Sequence, residues 1–161
     1  MIVILGILAS VAIPRLAATR EDAEISTTIA NLRTLVSEAS SYYVAHGTFG
    51  SDTDGATWND VTNVPLSNGA ARATGAAVFL KAGKEDCIGV QLVNKAGDTP
   101  AHIAFTKGSG NKAGTVCAQV LDSEPVDAYF KSKAGSTENA VPVGSSKGIY
   151  KSVTKPEPSS S

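Results

Sequence analysis

The side chains that most often perform chemistry in proteins are few in this chain and lie far apart. It has two histidines, His46 and His102, and two cysteines, Cys87 and Cys117. Their spacing fits no Ser/His/Asp, Cys/His or HExxH arrangement, so we expect no catalytic centre and no enzymatic activity. Neither cysteine lies in a CxxC pair or a Cys/His cluster, which argues against a zinc site.

Two further stretches have some features of ligand-binding loops. The acidic stretch 52–60 lacks the third early acid and the distal glutamate that complete a calcium loop, and an Asx-rich turn is the alternative interpretation. The run 107–110 lacks the GK[ST] ending of a phosphate loop, so we expect a hairpin turn there. The sequence therefore predicts no metal site and no cofactor.

Length and composition limit the remaining classes. The chain has 161 residues, enough for one domain or for one domain with an appendage. Its 14 basic and 15 acidic residues nearly balance, so no bulk field attracts nucleic acid or an anionic membrane. The two cysteines leave open one disulfide or two free thiols. Export would favour the disulfide, worth roughly 3–4 kcal/mol at this spacing.

The most apolar part of the chain is its start. From Met1 to Ile13 every residue is apolar or small except Ser10. A helix that is apolar on all sides is buried in protein or in lipid. A bilayer span needs about 20 residues, so this segment is too short to cross alone. A signal peptide would begin with a basic region, which is absent. The segment is therefore either a buried core helix or the remainder of a longer membrane segment.

A single apolar stripe follows the apolar segment. Its members recur at steps of four and three residues and are Ile25, Ile29, Leu32, Val36, Ala39 and Tyr43. This spacing predicts an amphipathic helix that ends at His46-Gly47, where glycine can adopt a left-handed cap. We expect one helix from the start to about residue 46, roughly 70 Å long. Because that exceeds the width of a compact domain of this size, its first half must project.

The remainder of the chain is predicted to form a small β-rich head. We expect a connection over 50–75, with a short helix or a hairpin, and then short strands. The predicted strands are 76–80, 87–93, a third around Ile103 and Phe105, and 116–121. They would form an antiparallel meander whose apolar face the helix stripe covers. Residues 122–161 are expected to be loop-like, with Tyr129-Phe130 as an anchor to the head.

The first residues also carry a family resemblance. The stretch IVILGILASVAIPRL strongly resembles the amino-terminal signature of type IV pilins and of the related pseudopilins of type II secretion. The matching elements are Ile2-Val3-Ile4, then Leu5-Gly6-Ile7-Leu8-Ala9, then Val11-Ala12-Ile13-Pro14. Over residues 2–24 the resemblance extends to individual residues. Beyond them only the order of the predicted elements is similar. Family precursors have a basic leader that is cut before a phenylalanine, a methylated new terminus and an early glutamate. Met1 here falls inside the apolar run, and a missing first third of about seven residues would explain its shortness.

The resemblance implies a pilin-like α+β fold, in which a long N-terminal helix packs by its second half on an antiparallel sheet. The implied boundaries are a helix over 1–46 (1–13 membrane or filament core, 15–46 amphipathic), a head over 47–155 and a mobile tail over 156–161. The implied filament-core residues are Ile2, Val3, Ile4, Leu5, Gly6, Ile7, Leu8, Val11, Ile13 and Pro14. Gly6 and Pro14 would let the backbone adapt on assembly. The apolar spacing of the helix predicts that Ile25, Ile29, Leu32, Val36 and Tyr43 hold the head, and the resemblance implies Cys87–Cys117 as a stabilising disulfide.

The resemblance also implies partners and a location. The partners would be copies of the chain in a helical filament, the inner membrane before assembly, and the pilus or type II secretion assembly machinery. The location would be the inner membrane and then an extracellular pilus on a bacterial cell surface. A pseudopilin is the alternative within the family. A membrane-tethered module for DNA uptake or adhesion is a further alternative, which would need a positive or aromatic patch on the head. Its candidate cations are Lys131, Lys133, Lys147, Lys151 and Lys155, which five acids between 122 and 161 balance, so no specific nucleic acid is predicted.

Overall fold

One long helix forms the first part of the computed structural model, which describes residues 2–51 and 53–144, with side chains from Thr19 onward. This helix, α1 (Ile2–His46), has 45 residues and stays helical through Gly6 and Pro14. At 1.5 Å per residue it is about 67 Å long. Gly47 follows its last residue, with a φ of +73° and an N–H that donates to the carbonyl of Tyr43 at 2.7 Å. The predicted single helix is thus confirmed.

A small antiparallel sheet follows the helix and makes the fold α+β. The elements after α1 are α2 (Trp58–Val61), β1 (Val78–Ala82), β2 (Glu85–Val93), β3 (His102–Lys107), α3 (Val116–Asp122), α4 (Glu124–Lys131), β4 (Lys133–Ala134), β5 (Thr137–Glu138) and β6 (Ala140–Pro142). The main sheet has the order β1-β2-β3-β6, and every neighbouring pair is antiparallel. β4 and β5 form a separate short hairpin.

Three helices cover one face of the main sheet. Its buried residues on that face come from alternate positions of β1, β2 and β3: Val78, Leu80, Ile88, Val90, Leu92, Ile103 and Phe105. α1 contacts β1, α3 contacts β1 and β2, and α4 contacts β3 and β6. On this face, the apolar stripe of α1 therefore covers only the part of the sheet near β1, and α3 and α4 cover the rest. The core lies between this layer of helices and the sheet, as the two-layer rule requires.

The prediction of a strand over 116–121 is wrong, because Val116–Asp122 is the helix α3. A short run of mixed apolar residues fits either period. The local chemistry favours a helix, since the Thr115 side chain accepts a hydrogen bond from the N–H of Ala118 at 3.2 Å and caps the first turn. The residues that α3 buries are Cys117, Val120 and Leu121, which share one helical face.

The prediction of a loop-like region after residue 122 is also wrong for the part that the structure describes. α4 and the strands β4, β5 and β6 occupy most of 124–142, and β6 rather than 116–121 completes the main sheet. The expected anchor is present on α4. The ring of Tyr129 lies 5.5 Å from that of Phe105, and the ring of Phe130 lies 6.2 Å from it. The predicted tail over 156–161 lies outside the described residues.

Candidate functional site

The candidate site is the junction at which α1 enters the head. Leu32, Leu35 and Ala39 are fully buried there. The members of the predicted stripe that are partly buried against the same core are Ile25, Ile29, Val36 and Tyr43. Leu35 is missing from the predicted stripe because it lies one position before Val36, outside the chosen spacing. The buried face is wider than one stripe because α1 contacts α2, α3 and β1 together.

A set of hydrogen bonds from Asn94, here called the Asn94 clasp, holds the turn that follows the C-terminal end of α1. The side-chain oxygen of Asn94, which follows β2, accepts the backbone N–H of Phe49 at 2.8 Å and the hydroxyl of Thr48 at 3.1 Å. The Asn94 amide group donates to the carbonyl of Gly50. The Phe49 ring is buried, 5.0 Å from the ring of Tyr43. One side chain thus binds the turn after α1 to the end of a central strand.

Two further polar contacts fix α1 along its length. The Glu38 carboxylate accepts the hydroxyl of Thr62 and, at 3.2 Å, the backbone N–H of Asn63, which ties the segment after α2 to the helix. Nearer the start of α1, the buried hydroxyl of Thr28 donates to the Glu24 carbonyl at 2.8 Å and lies 3.4 Å from the Lys81 carbonyl. These contacts link α1 to β1 and to the segment after α2.

Cys87 and Cys117 form a disulfide, as predicted, with 5.4 Å between their Cα atoms. Leu80 pairs with Ile88 but Lys81 pairs with Asp86, so Cys87 is the extra residue of a β-bulge. Both cysteines are fully buried, and Cys117 lies in α3 beneath the sheet. The bond therefore links the sheet to a helix rather than one strand to another.

The histidines lie apart and both contact backbone. His46 stacks on the ring of Tyr42, with 4.1 Å between the ring centroids, and its Nδ1 is 3.0 Å from the Tyr42 carbonyl. His102 is buried, and its Nδ1 is 2.9 Å from the Pro100 carbonyl. Over the described ranges, no group of three His, Cys, Asp or Glu residues is placed to hold a metal ion.

The acidic stretch after Gly50 contains a helix cap. The Asp60 carboxylate accepts the Thr57 hydroxyl at 2.6 Å and the Thr57 backbone N–H at 2.9 Å, at the start of α2. These two hydrogen bonds hold the pKa of Asp60 below its ordinary value. Asp54 is exposed, and Asp52 lies outside the described residues. The described part of this stretch therefore contains a helix-capping motif made by Thr57 and Asp60.

The two described members of the proposed positive patch are engaged in ion pairs. Lys131 pairs with Asp127 one turn earlier on α4, and Lys133 pairs with Glu138 across the β4–β5 hairpin at 2.7 Å. The hydrogen bond and the charge of Lys133 lower the pKa of Glu138. Lys147, Lys151 and Lys155 lie outside the described residues.

The predicted membrane and filament-core residues, from Ile2 to Pro14, have a described helical backbone, but their side chains lie outside the described part of the chain. Among the described residues, no helix combines the length and the apolar character needed to cross a bilayer. Comparison of the chain with family models, with curated proteins and with solved structures found no significant match.

Proposed function

We propose that this chain is a structural subunit of a type IV pilus-like extracellular filament, assembled through its apolar N-terminal helix. One observation carries the proposal: α1 is continuous over 45 residues, but the first of its described apolar side chains to pack on the core is Ile25, and its polar contacts to the sheet and to the segment after α2 come from Thr28 and Glu38. The preceding residues 2–23 add about 33 Å of helix.

The apolar segment within those preceding residues needs a burial partner. Six large aliphatic side chains cluster in it: Ile2, Val3, Ile4, Leu5, Ile7 and Leu8. Burial of each is worth about 1.5–3 kcal/mol, so leaving all six in water would cost on the order of 10 kcal/mol. Lipid provides that burial before assembly, and the same segment of other copies provides it afterwards. A contact between different faces of identical chains extends into an open fibre rather than a closed ring.

The cross-links within the head support the same proposal. The disulfide, the Asn94 clasp and the Glu38 contact bind the sheet, α3 and the long connection to one helix. A subunit of a fibre must transmit force from its helix to its head without unfolding. The ion pairs of Lys131 and Lys133 reduce the charge that these two residues offer to a nucleic-acid-binding module.

A charge placed in the apolar segment tests the proposal. We expect Leu8→Lys to abolish filaments in sheared fractions of the source cells, because an ammonium group cannot be buried among aliphatic helices. Ser136→Lys adds the same charge in the exposed turn between β4 and β5 and serves as the matched control. Intact disulfide in both variants shows that the head has folded. Filaments built from Leu8→Lys at the unmodified level would refute assembly through this helix.

A further inference from the structure

Asn68 is an exposed asparagine in the segment between α2 and β1, and Gly69 follows it in the only Asn-Gly pair of the sequence. The Asn68 carbonyl accepts the N–H of Ala71 at 3.1 Å, so this pair opens a β-turn. The Asn68 side chain makes no hydrogen bond to another described residue. No contact within the described head therefore holds its amide group away from the neighbouring backbone.

The N–H of Gly69 finds no acceptor among the described residues either. The exposed Asn111 differs in this respect, because the N–H of Lys112 that follows it donates to the carbonyl two residues earlier at 2.8 Å. Asn94 differs in its side chain, which forms the clasp. Among the asparagines that the structure describes, only Asn68 combines an unbonded side chain with an unbonded N–H on the next residue.

This pair of free groups suits deamidation within the chain. The Gly69 nitrogen attacks the side-chain carbonyl carbon of Asn68 and loses its proton, and the side-chain nitrogen leaves as ammonia, which closes a succinimide ring. Water then opens the ring. Attack of water on the side-chain carbonyl gives aspartate, and attack on the main-chain carbonyl gives isoaspartate, whose backbone runs through the former side chain. Glycine favours ring closure because it has no Cβ to crowd the attacking nitrogen.

The two neighbours of Asn68 are anchored to different elements. On one side, the N–H of Ser67 donates to the Phe79 carbonyl at 2.8 Å, and the Ser67 hydroxyl accepts the Phe79 N–H at 2.9 Å, which covers part of the edge strand β1. On the other side, the Gly69 carbonyl accepts the N–H of Asn59 in α2 at 2.8 Å. Isoaspartate adds one backbone atom between these anchors, whereas aspartate leaves the backbone length unchanged.

We infer that Asn68 is a site of spontaneous modification: it converts to aspartate and isoaspartate in the folded head, and the isoaspartate loosens the segment that links α2 to the edge of β1. Each product also adds a negative charge to this exposed turn. The inference concerns the head alone, so it does not depend on the filament proposal.

Peptide mapping of the full, oxidised chain tests the reaction. The folded chain and the chain unfolded in guanidinium chloride are incubated at mildly alkaline pH, and mass spectrometry follows the loss of each side-chain amide. We expect folded Asn68 to convert about tenfold faster than folded Asn111, where the Lys112 hydrogen bond must first break. We also expect unfolding to change the rate at Asn68 by less than about twofold, because no described hydrogen bond restrains the reacting groups.

Equal conversion of Asn68 and Asn111 in the folded chain would overturn the inference. So would strong protection of Asn68 by folding, because the geometry of the turn would then block the attack despite the free groups.

Two variants separate the effect of the added charge from that of the altered backbone. Asn68→Asp carries the charge on an unmodified backbone, and Asn68→Ser has no amide to lose. We expect the incubated natural chain, enriched in isoaspartate, to unfold at a lower urea concentration than fresh Asn68→Asp. Incubated Asn68→Ser should keep the midpoint of its fresh sample, which excludes damage elsewhere. An isoaspartate-rich chain with the same midpoint as Asn68→Asp would show that the altered backbone loosens nothing and would overturn that part of the inference.

Discussion

The side-chain oxygen of Asn94 accepts the backbone N–H of Phe49 at 2.8 Å, across 45 residues of sequence. This bond joins the turn that ends α1 to the end of the central strand β2. The Phe49 ring beneath it is buried against Tyr43. The contact therefore holds the residues that follow α1 close to the end of β2.

Removal of this clasp should weaken the head measurably. Asn94→Ala leaves the N–H of Phe49 and the carbonyl of Gly50 without their partner, and we expect it to lower the free energy of unfolding by about 1–3 kcal/mol. Asn111→Ala is the control, since Asn111 is an exposed asparagine in a surface loop. Urea titration of both variants measures the difference. Equal midpoints for the two would show that the clasp contributes nothing.

Leu35 should be a major contributor to the attachment of α1 to the head. It is fully buried, so Leu35→Ala is expected to cost about 2–5 kcal/mol through lost burial and the cavity left behind. Val44→Ala, on the same helix, should cost little because Val44 is 72% exposed. Chemical denaturation of both variants tests this contrast. A small loss for Leu35→Ala would mean that the helix is held mainly by its polar contacts.

The disulfide should contribute strongly to the stability of the head. Closure of the loop between Cys87 and Cys117 by the bond is worth about 3–4 kcal/mol in the chain-entropy model. We therefore expect the double variant Cys87→Ala/Cys117→Ala, and the reduced unmodified chain, to unfold at lower urea concentration than the oxidised chain. The two comparisons separate loss of the bond from loss of the sulfur atoms. Alkylation of the native chain without reductant, detected by mass, would contradict the bond itself.

The cap of α2 should depend on pH. The pKa of Asp60 is lowered in the folded chain, chiefly by the Thr57 hydroxyl. Its stabilising contribution is therefore complete above the ordinary aspartate pKa of about 3.9 and is lost as the pH falls through the lower folded value. NMR titration of the Asp60 carboxyl should show a midpoint below that of an unstructured peptide. Thr57→Val removes the hydroxyl and keeps the backbone N–H, so it should raise this midpoint, and an unchanged midpoint would remove the Thr57 hydroxyl as the main cause.

The elements that could be predicted from the sequence are those with a long, regular pattern. The stripe from Ile25 to Tyr43 repeats over five helical turns, and the alternation of Ile88, Val90 and Leu92 identifies β2. The disulfide followed from the resemblance and from the small number of cysteines. The bulge at Cys87 could not be predicted from the position of this cysteine in the sequence, because a bulge is a property of the pairing between two strands.

The parts that were missed are short or depend on tertiary contacts. Six residues from Val116 to Leu121 fit a strand or a helix by their pattern, and their contacts with α1 and the bond of Cys117 to Cys87 are tertiary features that no local pattern indicates. α4 had local signals that were overlooked, namely Ser123 before Glu124-Pro125 and a lysine in the last turn. The Asn94 clasp and the Glu38 contact join residues far apart in the sequence, so no local pattern indicates them.

Cryo-electron microscopy of fibres sheared from the source cells tests the central claim most directly. The account predicts a helical filament in which this head, with α1 leaving it beyond Glu24, surrounds a core of packed apolar helices. Density at Gly6 and Pro14 would also show whether the helix of the free chain persists in the fibre. Abundant fibres built from another protein, with this chain confined to the membrane fraction, would contradict the claim that it is the fibre's structural subunit and would favour a pseudopilin or a tethered module.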